Sequence, residues 1–294
     1  MPSRMPGIGN MVVVTLTTDF GYGPYVAVMK GIILSMNPAV RIVDISHSIT
    51  PQCVLEGAYV LDSTVIHFRS GENIHLGVVD PGVGTGRKPL VFKCEKGILV
   101  GPDNGLLSAA AESLGIISVH ELANKAWRYG KHSATFHGRD VFAPAVGHLS
   151  KGAPADSAGP EVKDWVKLDV RAHERRADEI RSTIVHVDHF GNIVTSVPGT
   201  SMPPGIKELE LVIMKDVEEE EKVGEKDRGR SKKANKARTA ERLTVPFVST
   251  YSDVPKGALA CLVNSHGHVE IAVNGGDASE MLGTVPGMAA TLKF

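Results

Sequence analysis

MVVVTLTTDFG, residues 11–21, decides the fold of the first half of the chain, together with PYVAVMKGIILSMNP, residues 24–38. The first segment predicts a buried strand over Val12–Thr18 that ends at Asp19, because it is a run of β-branched and apolar residues. The second predicts a helix, since it has proline in its first turn and an Asn-Pro pair at its end. A strand leading directly into a helix is typical of α/β proteins.

The same alternation continues to residue 80. RIVDIS (41–46) predicts a strand, VLEGAYVLDSTVIHF (54–68) a helix, and NIHLGVVD (73–80) a third strand. We therefore predict an N-terminal α/β domain with a largely parallel central sheet. Ligands of such sheets bind beyond the carboxyl ends of the strands, which is where Asp19 and Asp80 lie.

The alternation of strands and helices ends at GAPADSAGP, residues 152–160, a stretch of small and polar residues that is rich in proline and glycine. Short strand-like segments separated by turn residues follow, and they predict a smaller, mostly antiparallel C-terminal β domain. We expect four parts: a flexible tail at 1–10, the N-terminal domain at 11–151, a linker at 152–182 and the C-terminal domain at 183–294.

A charged insert, residues 215–242, interrupts the C-terminal domain. It holds ten basic and eight acidic residues in twenty-eight positions. Such a segment cannot bury an apolar face, so it is either a solvated hairpin extension or a disordered loop. Its basic half could contact an anionic partner, although an inserted surface loop is the favoured interpretation.

Composition narrows the function classes. The formal net charge of −1 gives no general attraction to nucleic acid or membranes. The apolar runs are far shorter than the roughly 20 residues that cross a bilayer, and the N-terminus lacks the apolar core of a signal peptide. Cys53, Cys94 and Cys261 lie far apart without a CxxC pair, which argues against a disulfide framework or structural zinc. We expect a cytoplasmic protein.

VVDPGVGTGRKPL, residues 78–90, places Asp80 after an apolar run, with three glycines between it and Arg87. A phosphate-binding loop is disfavoured, because the stretch lacks the Gly-Lys-Ser/Thr ending and leads into a strand rather than a helix. Two interpretations stay open. Asp80 and Arg87 form a structural ion pair, or they form one wall of a catalytic pocket.

Three other polar residues have alternative roles. Asp19 can bind a ribose diol or cap the following helix, and the pattern alone favours the cap. His137 lies at a helix entry in TFHGRDVFAP, where Asp140 caps the helix or pairs with Arg139. We expect no metal, because no HxH or HExxH spacing supports a site among the candidate ligands Asp19, Asp80, Asp103, His47 and His137.

Six motifs occur together and in order: TLTTDFG, VVDPGVGTGR, GPDNG, FHGRDVFAP, HFGN and NSHGHVEIAVN. In this combination the chain resembles the S-adenosyl-L-methionine (SAM) hydrolases that form adenosine, also called SAM hydroxide adenosyltransferases, which are relatives of the fluorinating and chlorinating SAM enzymes. The resemblance covers nearly all of the chain except the tail and the charged insert. It implies a homotrimer that takes SAM as substrate, without a cofactor, between the N-terminal domain of one subunit and the C-terminal domain of the next.

The resemblance also implies roles for particular residues. The catalytic set falls on Asp80, Arg87 and His137, and Asp19 holds the ribose hydroxyls. The methionine end of the substrate is held by Asp188, Asn192 and Ser265. Near the adenine lie an aromatic side chain and further groups, namely Phe190 or Tyr251, Glu270 and the backbone around Val273.

The nucleophile implied is water, because the extra loop of the halogenating branch is absent around residues 78–87. The expected reaction is SAM plus water giving adenosine and methionine. Two alternatives remain at this stage. One is a SAM- or adenosine-binding regulatory protein without turnover, with residues 215–242 as its partner-binding arm, and the other is a SAM-dependent halogenase.

Overall fold

The computed structural model describes residues 11–68, 73–130, 133–218 and 236–294, with the backbone alone at 216–218 and 236–238. The expected tail at 1–10 and residues 219–235 of the charged insert lie outside the described residues. The chain divides into two units, residues 1–170 and 171–294. Their boundary falls within the stretch 152–182.

The N-terminal unit contains six strands and four α-helices in its described part. They are β1 (Val13–Thr18), α1 (Pro24–Met36), β2 (Arg41–Ser46), α2 (Val54–Val65), β3 (Asn73–Val78), β4 (Pro89–Cys94), β5 (Gly97–Pro102), α3 (Ser108–Leu114), β6 (Ile116–Glu121) and α4 (Ala143–Ser150). The sheet order is β2-β1-β3-β5-β4-β6. The first four strands in this order are parallel and β4 is antiparallel to both neighbours, which confirms a largely parallel sheet.

Helices cover both faces of this sheet. Neighbouring residues of β5 show the division, since Val100 joins the apolar cluster under α1 and α4 whereas Leu99 joins the cluster under α2 and α3. Met29 and Phe142 are fully buried in the first cluster and Leu61 in the second. Burial on both faces explains why the polar side chains of β1 and β3, such as Thr15 and His75, are buried together with the apolar ones.

The centre of the sheet creates a binding crevice. β1 lies between β2 and β3, with Thr18 aligned with Val78. The chain therefore leaves β1 in one direction to form β2 and returns on its other side to form β3. Ligands bind at the carboxyl ends of strands where the strand order reverses in this way. Asp19 and Asp80 follow the two strands that flank this point.

The C-terminal unit is built on a second sheet. Its elements are β7 (Glu174–Arg175), β8 (Glu179–Val187), β9 (Ile193–Pro198), β10 (Glu208–Glu218), β11 (Lys236–Pro246), β12 (Leu259–Val263), β13 (His268–Val273), α5 (Ala278–Leu282) and β14 (Ala289–Lys293). The main path is β11-β10-β14-β8-β9-β13-β12, and β7 pairs with β8. The strand pairings are antiparallel, as predicted. Its core includes Ile180, Leu211 and Ile271.

The flanks of the charged insert belong to a regular hairpin. β10 and β11 pair from Glu208 with Pro246 to Glu218 with Lys236. At the base of the inserted part, Lys215 forms an ion pair with Glu241 across the two strands. Where the structure describes the insert, its backbone is therefore strand.

The three cysteines are free thiols. Cys94 and Cys261 are buried and Cys53 is half-buried. Desolvation raises the pKa of all three, that of Cys94 to about 12. In the described part of the chain, none of the helices combines the length and hydrophobicity that crossing a bilayer requires.

Candidate active site

Asp80, Arg87 and His137 meet in one hydrogen-bonded network. The Asp80 carboxylate accepts from Arg87 Nε at 2.8 Å and also from Nη2. Arg87 Nη2 lies 2.8 Å from His137 Nδ1. The side chains of the acid and the arginine are only 6% and 8% exposed, so this is a buried, bidentate pair. The guanidinium also stacks over the Phe142 ring, 5.3 Å from its centroid.

The network assigns the tautomer of His137. Because a guanidinium has no acceptor, Arg87 must donate to Nδ1, and the imidazole then carries its proton on Nε2. His137 is therefore a neutral ring that can donate from Nε2. Its Nδ1 lone pair is already engaged.

A tight loop brings the acid and the arginine together. The chain turns directly after β3, with Val83 N donating to Asp80 O and Thr85 N to Gly82 O. Gly84 has a φ of +79°, and a Cβ there would lie 2.5 Å from the carbonyl oxygen of Ala134. The glycine thus allows the loop to pack against the segment that leads to His137.

A cavity of about 680 Å³ opens beside this network. It is lined by Asp80 and His137, by Asp19 and Gln52 from the neighbouring loops, and by the aromatic rings of Phe20, Tyr25 and Phe136. The three rings contact one another with centroids 5.1–5.9 Å apart. Its volume suits a ligand of nucleoside size.

Asp19 lies on the wall of this cavity and does not cap α1. Its Oδ2 accepts a hydrogen bond of 2.8 Å from Gln52 N. The N-cap of α1 is Gly23, and no side chain caps that helix end. The helix-cap interpretation is therefore wrong, because three residues, Phe20, Gly21 and Tyr22, separate Asp19 from the N-cap position at Gly23.

Asp140 holds the loop that carries Phe136 and His137. It is buried, accepts from Ser133 N at 2.8 Å and pairs with Arg139. His137 stands at the N-cap of a π-helical turn, Gly138–Phe142, that precedes α4. Of the two interpretations of Asp140, the pair with Arg139 is correct, and no side chain caps this helix entry.

The C-terminal unit forms a second polar group around Asp188. Asp188 Oδ1 accepts from the backbone N–H groups of Phe190 and Asn192, and Oδ2 accepts from the Asn192 side chain at 2.9 Å. Gly191, with a φ of +81°, completes this turn. The turn therefore presents a carboxylate held by three donors.

Glu270 lies near Asp188 and is buried. It accepts from the Tyr251 hydroxyl at 2.7 Å and from Asn264 Nδ2 at 3.1 Å. Desolvation raises the pKa of Glu270, and the charge of Asp188 contributes in the same direction. Desolvation, followed by the hydrogen bond to Glu270, raises the pKa of Tyr251 as well.

The side chains of other predicted site residues stand apart from these hydrogen bonds. Phe190 is exposed, as is Ser265 in the turn after Asn264. The Val273 side chain packs into the core of the sheet. Two candidate metal ligands also have other roles: Asp103 accepts from Val166 N, and His47 contacts Thr18. Within the described ranges, no three His, Cys, Asp or Glu side chains group as metal ligands.

Several residues of these two groups were not singled out from the sequence. Gln52, Phe20, Tyr25 and Phe136 line the N-terminal cavity, and Asn264 binds Glu270. A usable signal was adjacency, because Phe20, Phe136 and Asn264 each stand next to a predicted site residue. Gln52 lacks that signal, since it lies 33 residues from Asp19 in the chain.

Family models match both units. Residues 14–159 match the SAM hydroxide adenosyltransferase N-terminal domain, and residues 182–291 match the corresponding C-terminal domain. The chain belongs to the SAM hydroxide adenosyltransferase family. The two matched regions fall within the two structural units, and the N-terminal match contains Asp19, Asp80, Arg87 and His137.

Individual members of the SAM hydroxide adenosyltransferase family and its relatives agree with this assignment. A protein named (R)-S-adenosyl-L-methionine hydrolase from Salinispora tropica is 37% identical over 278 residues, covering 93% of this chain and 95% of its own length. One of the same name from Methanocaldococcus jannaschii is 34% identical over 92% of this chain and 91% of its own length. A fluorinase from an Actinoplanes species is 26% identical over 67% of this chain and 75% of its own length.

Solved structures share the whole fold. A crystal structure of an uncharacterized conserved protein from Thermotoga maritima has a TM-score of 0.76 and 30% identity, covering 97% of this family member and all of the matched chain. A conserved hypothetical protein from Thermus thermophilus has a TM-score of 0.68, also at 30% identity, over 96% of this chain and all of its own.

Proposed function

We propose that this protein hydrolyses S-adenosyl-L-methionine to adenosine and L-methionine. The observation that carries the proposal is the buried Asp80–Arg87–His137 network on the wall of a nucleoside-sized cavity that also holds Asp19. Family membership and relatives named SAM hydrolases support the same reaction.

The reaction needs an activated oxygen and alignment more than it needs acid catalysis. The oxygen of water forms a bond to ribose C5′ while the C5′–sulfur bond breaks. The electron pair of the breaking bond stays on sulfur, which becomes the neutral thioether of methionine. Water loses one proton. Holding the water in line with the breaking bond supplies roughly 7–11 kcal/mol when the geometry is near that of attack.

Asp80 is the best proton acceptor of the three network residues. Arg87 has no lone pair, and the Nδ1 lone pair of His137 is engaged by Arg87. A carboxylate has about four acceptor positions, and Arg87 occupies two of those of Asp80. His137 Nε2–H is then a donor that orients the water oxygen.

Arg87 favours a hydroxide-like nucleophile. Its guanidinium is buried, and Nη1 has no hydrogen-bond acceptor among the described residues. Partial negative charge developing on the oxygen is stabilised by this fixed positive charge in a site that excludes water. Attack on a sulfonium merges opposite charges, so a dry cavity also lowers the barrier.

Substrate recognition is divided between the units. In the N-terminal unit, Asp19 accepts from the ribose hydroxyls. In the C-terminal unit, Asp188, Asn192 and Ser265 bind the methionine end. The adenine lies near Tyr251, Phe190, Glu270 and the backbone around Val273.

We further propose a homotrimer in which one subunit's N-terminal unit and the next subunit's C-terminal unit complete each site. A cytoplasmic location is part of the proposal, supported by three free thiols.

The direct test is turnover by the purified full chain. SAM is incubated with the protein, and adenosine and methionine are quantified by chromatography. We expect both products in equal amounts. Asp80→Asn should lower kcat by at least about 100-fold while SAM affinity changes little, because general-base contributions are typically of that size. Asp164→Asn, on an exposed residue outside the cavity, is the matched control.

Two outcomes would contradict the proposal. Tight SAM binding without products from the wild-type protein would indicate a binding protein. A 5′-halogenated nucleoside formed in the presence of chloride or fluoride, in place of adenosine, would indicate a halogenase. Full activity in Asp80→Asn would exclude the role of this carboxylate.

A further inference from the structure

Gln52 has an unusual backbone conformation. Its φ of +65° places it in the left-handed region, and it is the non-glycine residue with a positive φ in the described ranges. For an L-residue with a Cβ this region is sterically unfavourable, whereas glycine adopts it freely. Such conformations persist where the surrounding structure enforces them, and they concentrate at functional sites.

The turn around Gln52 is held from several sides. The buried Glu56 accepts from Thr50 N at 2.7 Å, and Cys53 N donates back to Thr50 O. Gln52 N donates to Asp19 Oδ2, while Gln52 O accepts from Val54 N at the start of α2. These bonds use only the backbone of Gln52, so a glycine could make all of them without steric cost.

Gln52 lies on the cavity wall. Gln52 is exposed, and it lines the same cavity as Asp19 and Asp80. A residue other than glycine in a conformation that suits glycine, at a position on the wall of a ligand cavity, indicates a role for the side chain itself. The backbone alone does not account for it.

We propose that the Gln52 carboxamide determines specificity for the ribose diol, by donating a hydrogen bond to a hydroxyl oxygen whose proton Asp19 accepts. This inference rests on the proposed function. A carboxylate can only accept, whereas each ribose hydroxyl also offers lone pairs that need a donor. The Gln52 amide supplies that donor beside Asp19. An amide is also neutral, so it adds no positive charge near a sulfonium substrate, as a lysine would.

The test is a thermodynamic cycle in which the Gln52 side chain and a ribose hydroxyl of the substrate are removed singly and together. Wild type and Gln52→Gly are assayed with SAM and with its 2′-deoxyadenosyl and 3′-deoxyadenosyl analogues. We expect Gln52→Gly to lower kcat/KM for SAM by about 5–10-fold, the usual worth of one hydrogen bond. For the analogue that lacks the contacted hydroxyl, the variant and the wild type should agree within about twofold, because the two changes remove the same interaction.

Thermal unfolding separates this role from a structural one. Gln52→Gly should have a Tm equal to or above that of the wild type, since the left-handed backbone is unstrained in glycine. Unchanged kcat/KM for SAM in Gln52→Gly, or an equal loss on all three substrates, would overturn the inference. Absence of products from the wild type in the same assay would instead refute the proposed function.

Discussion

Asp80 and Arg87 form a buried ion pair, so removing one of the two charges should lower the free energy of unfolding. Both side chains are almost fully buried, and neither has solvent to replace its partner. We expect Arg87→Met to lower the free energy of unfolding by about 3 kcal/mol, because it leaves the Asp80 carboxylate buried and unpaired. Urea unfolding measures this change. The double variant Asp80→Asn/Arg87→Met should be more stable than Arg87→Met, and equal stability of the two would contradict the explanation.

Gly84 permits the close packing of the loop between Asp80 and Arg87 on the segment before His137. We expect Gly84→Ala to cost about 2 kcal/mol of stability and to reduce SAM turnover, because its Cβ would meet the carbonyl oxygen of Ala134 at a positive φ. Gly86→Ala is the matched control, since nothing lies within 4 Å of a Cβ at that position. Similar losses of stability in the two variants, compared by thermal unfolding, would contradict this interpretation.

His75 links stability to pH. It is fully buried in β3, beside Thr15 Oγ1, and desolvation lowers its pKa from 6.5 to about 4. The unfolded chain therefore takes up a proton below pH 6.5 that the folded chain takes up only near pH 4. We expect this group to contribute a fall in stability of about 1.4 kcal/mol per pH unit across that window. In His75→Phe the pH dependence should be shallower, and an unchanged slope in urea titrations would contradict the assignment.

At the scale of elements, the sequence predicted most of the first sheet. β1, α1 and β2 agree within a residue, because proline and Asn-Pro boundaries are local signals. β6 was not predicted, and the helix entry expected at His137 is a π-helical turn before α4. β6 lies at the edge of the sheet and is only partly buried, so its apolar pattern is weak, and the π turn contains the buried Asp140, whose partners are Ser133 N and Arg139.

Some residues of the candidate sites could likewise be predicted from sequence motifs, whereas others depend on the folded backbone. The Asp80, Arg87 and His137 set could be named from motifs, although Arg87 and His137 are 50 residues apart. The hydrogen bond between Gln52 and Asp19 could not, since it depends on a backbone conformation. The Asn264–Glu270 contact likewise depends on how a turn places an amide over a strand.

The β10–β11 hairpin should fold without the inserted residues. Its strands pair in continuous register from Glu208 to Glu218, so an Asn-Gly turn can replace residues 219–235 between Glu218 and Lys236. We expect this variant to keep the Tm within about 2 °C and to retain SAM turnover, because a segment this rich in charge has little apolar surface to bury. Loss of turnover with an intact fold would show that the insert takes part in the reaction.

At the scale of the whole molecule, the proposed acid–base residues and the methionine-binding residues belong to different units, each with its own sheet and core. The sequence predicted an α/β domain followed by a β domain, because strand and helix patterns alternate in the first half and strand-like segments follow one another in the second. It does not contain a local pattern for trimerisation, because association depends on surface complementarity. The trimer therefore rests on the resemblance and needs its own measurement.

Mixed oligomers provide that measurement. Asp80→Asn and Asp188→Ala subunits, each inactive alone, are co-expressed with different tags and purified together. If each site joins two neighbouring subunits of a three-membered ring, every trimer that carries both tags has one site of three with two intact halves, and activity returns to about a third of the wild-type level. Light scattering should give about three times the chain mass of 31.3 kDa. Mixed oligomers without activity would place both halves of the site in one chain.

The different burial of the three thiols should allow selective chemical labelling. Two of the three are sealed inside the cores, whereas Cys53 is half-buried and directly follows Gln52. A thiol-directed fluorophore should therefore attach predominantly at one native position, beside the turn that faces the cavity. The wild-type protein would then report nucleoside arrival optically, without any engineered cysteine.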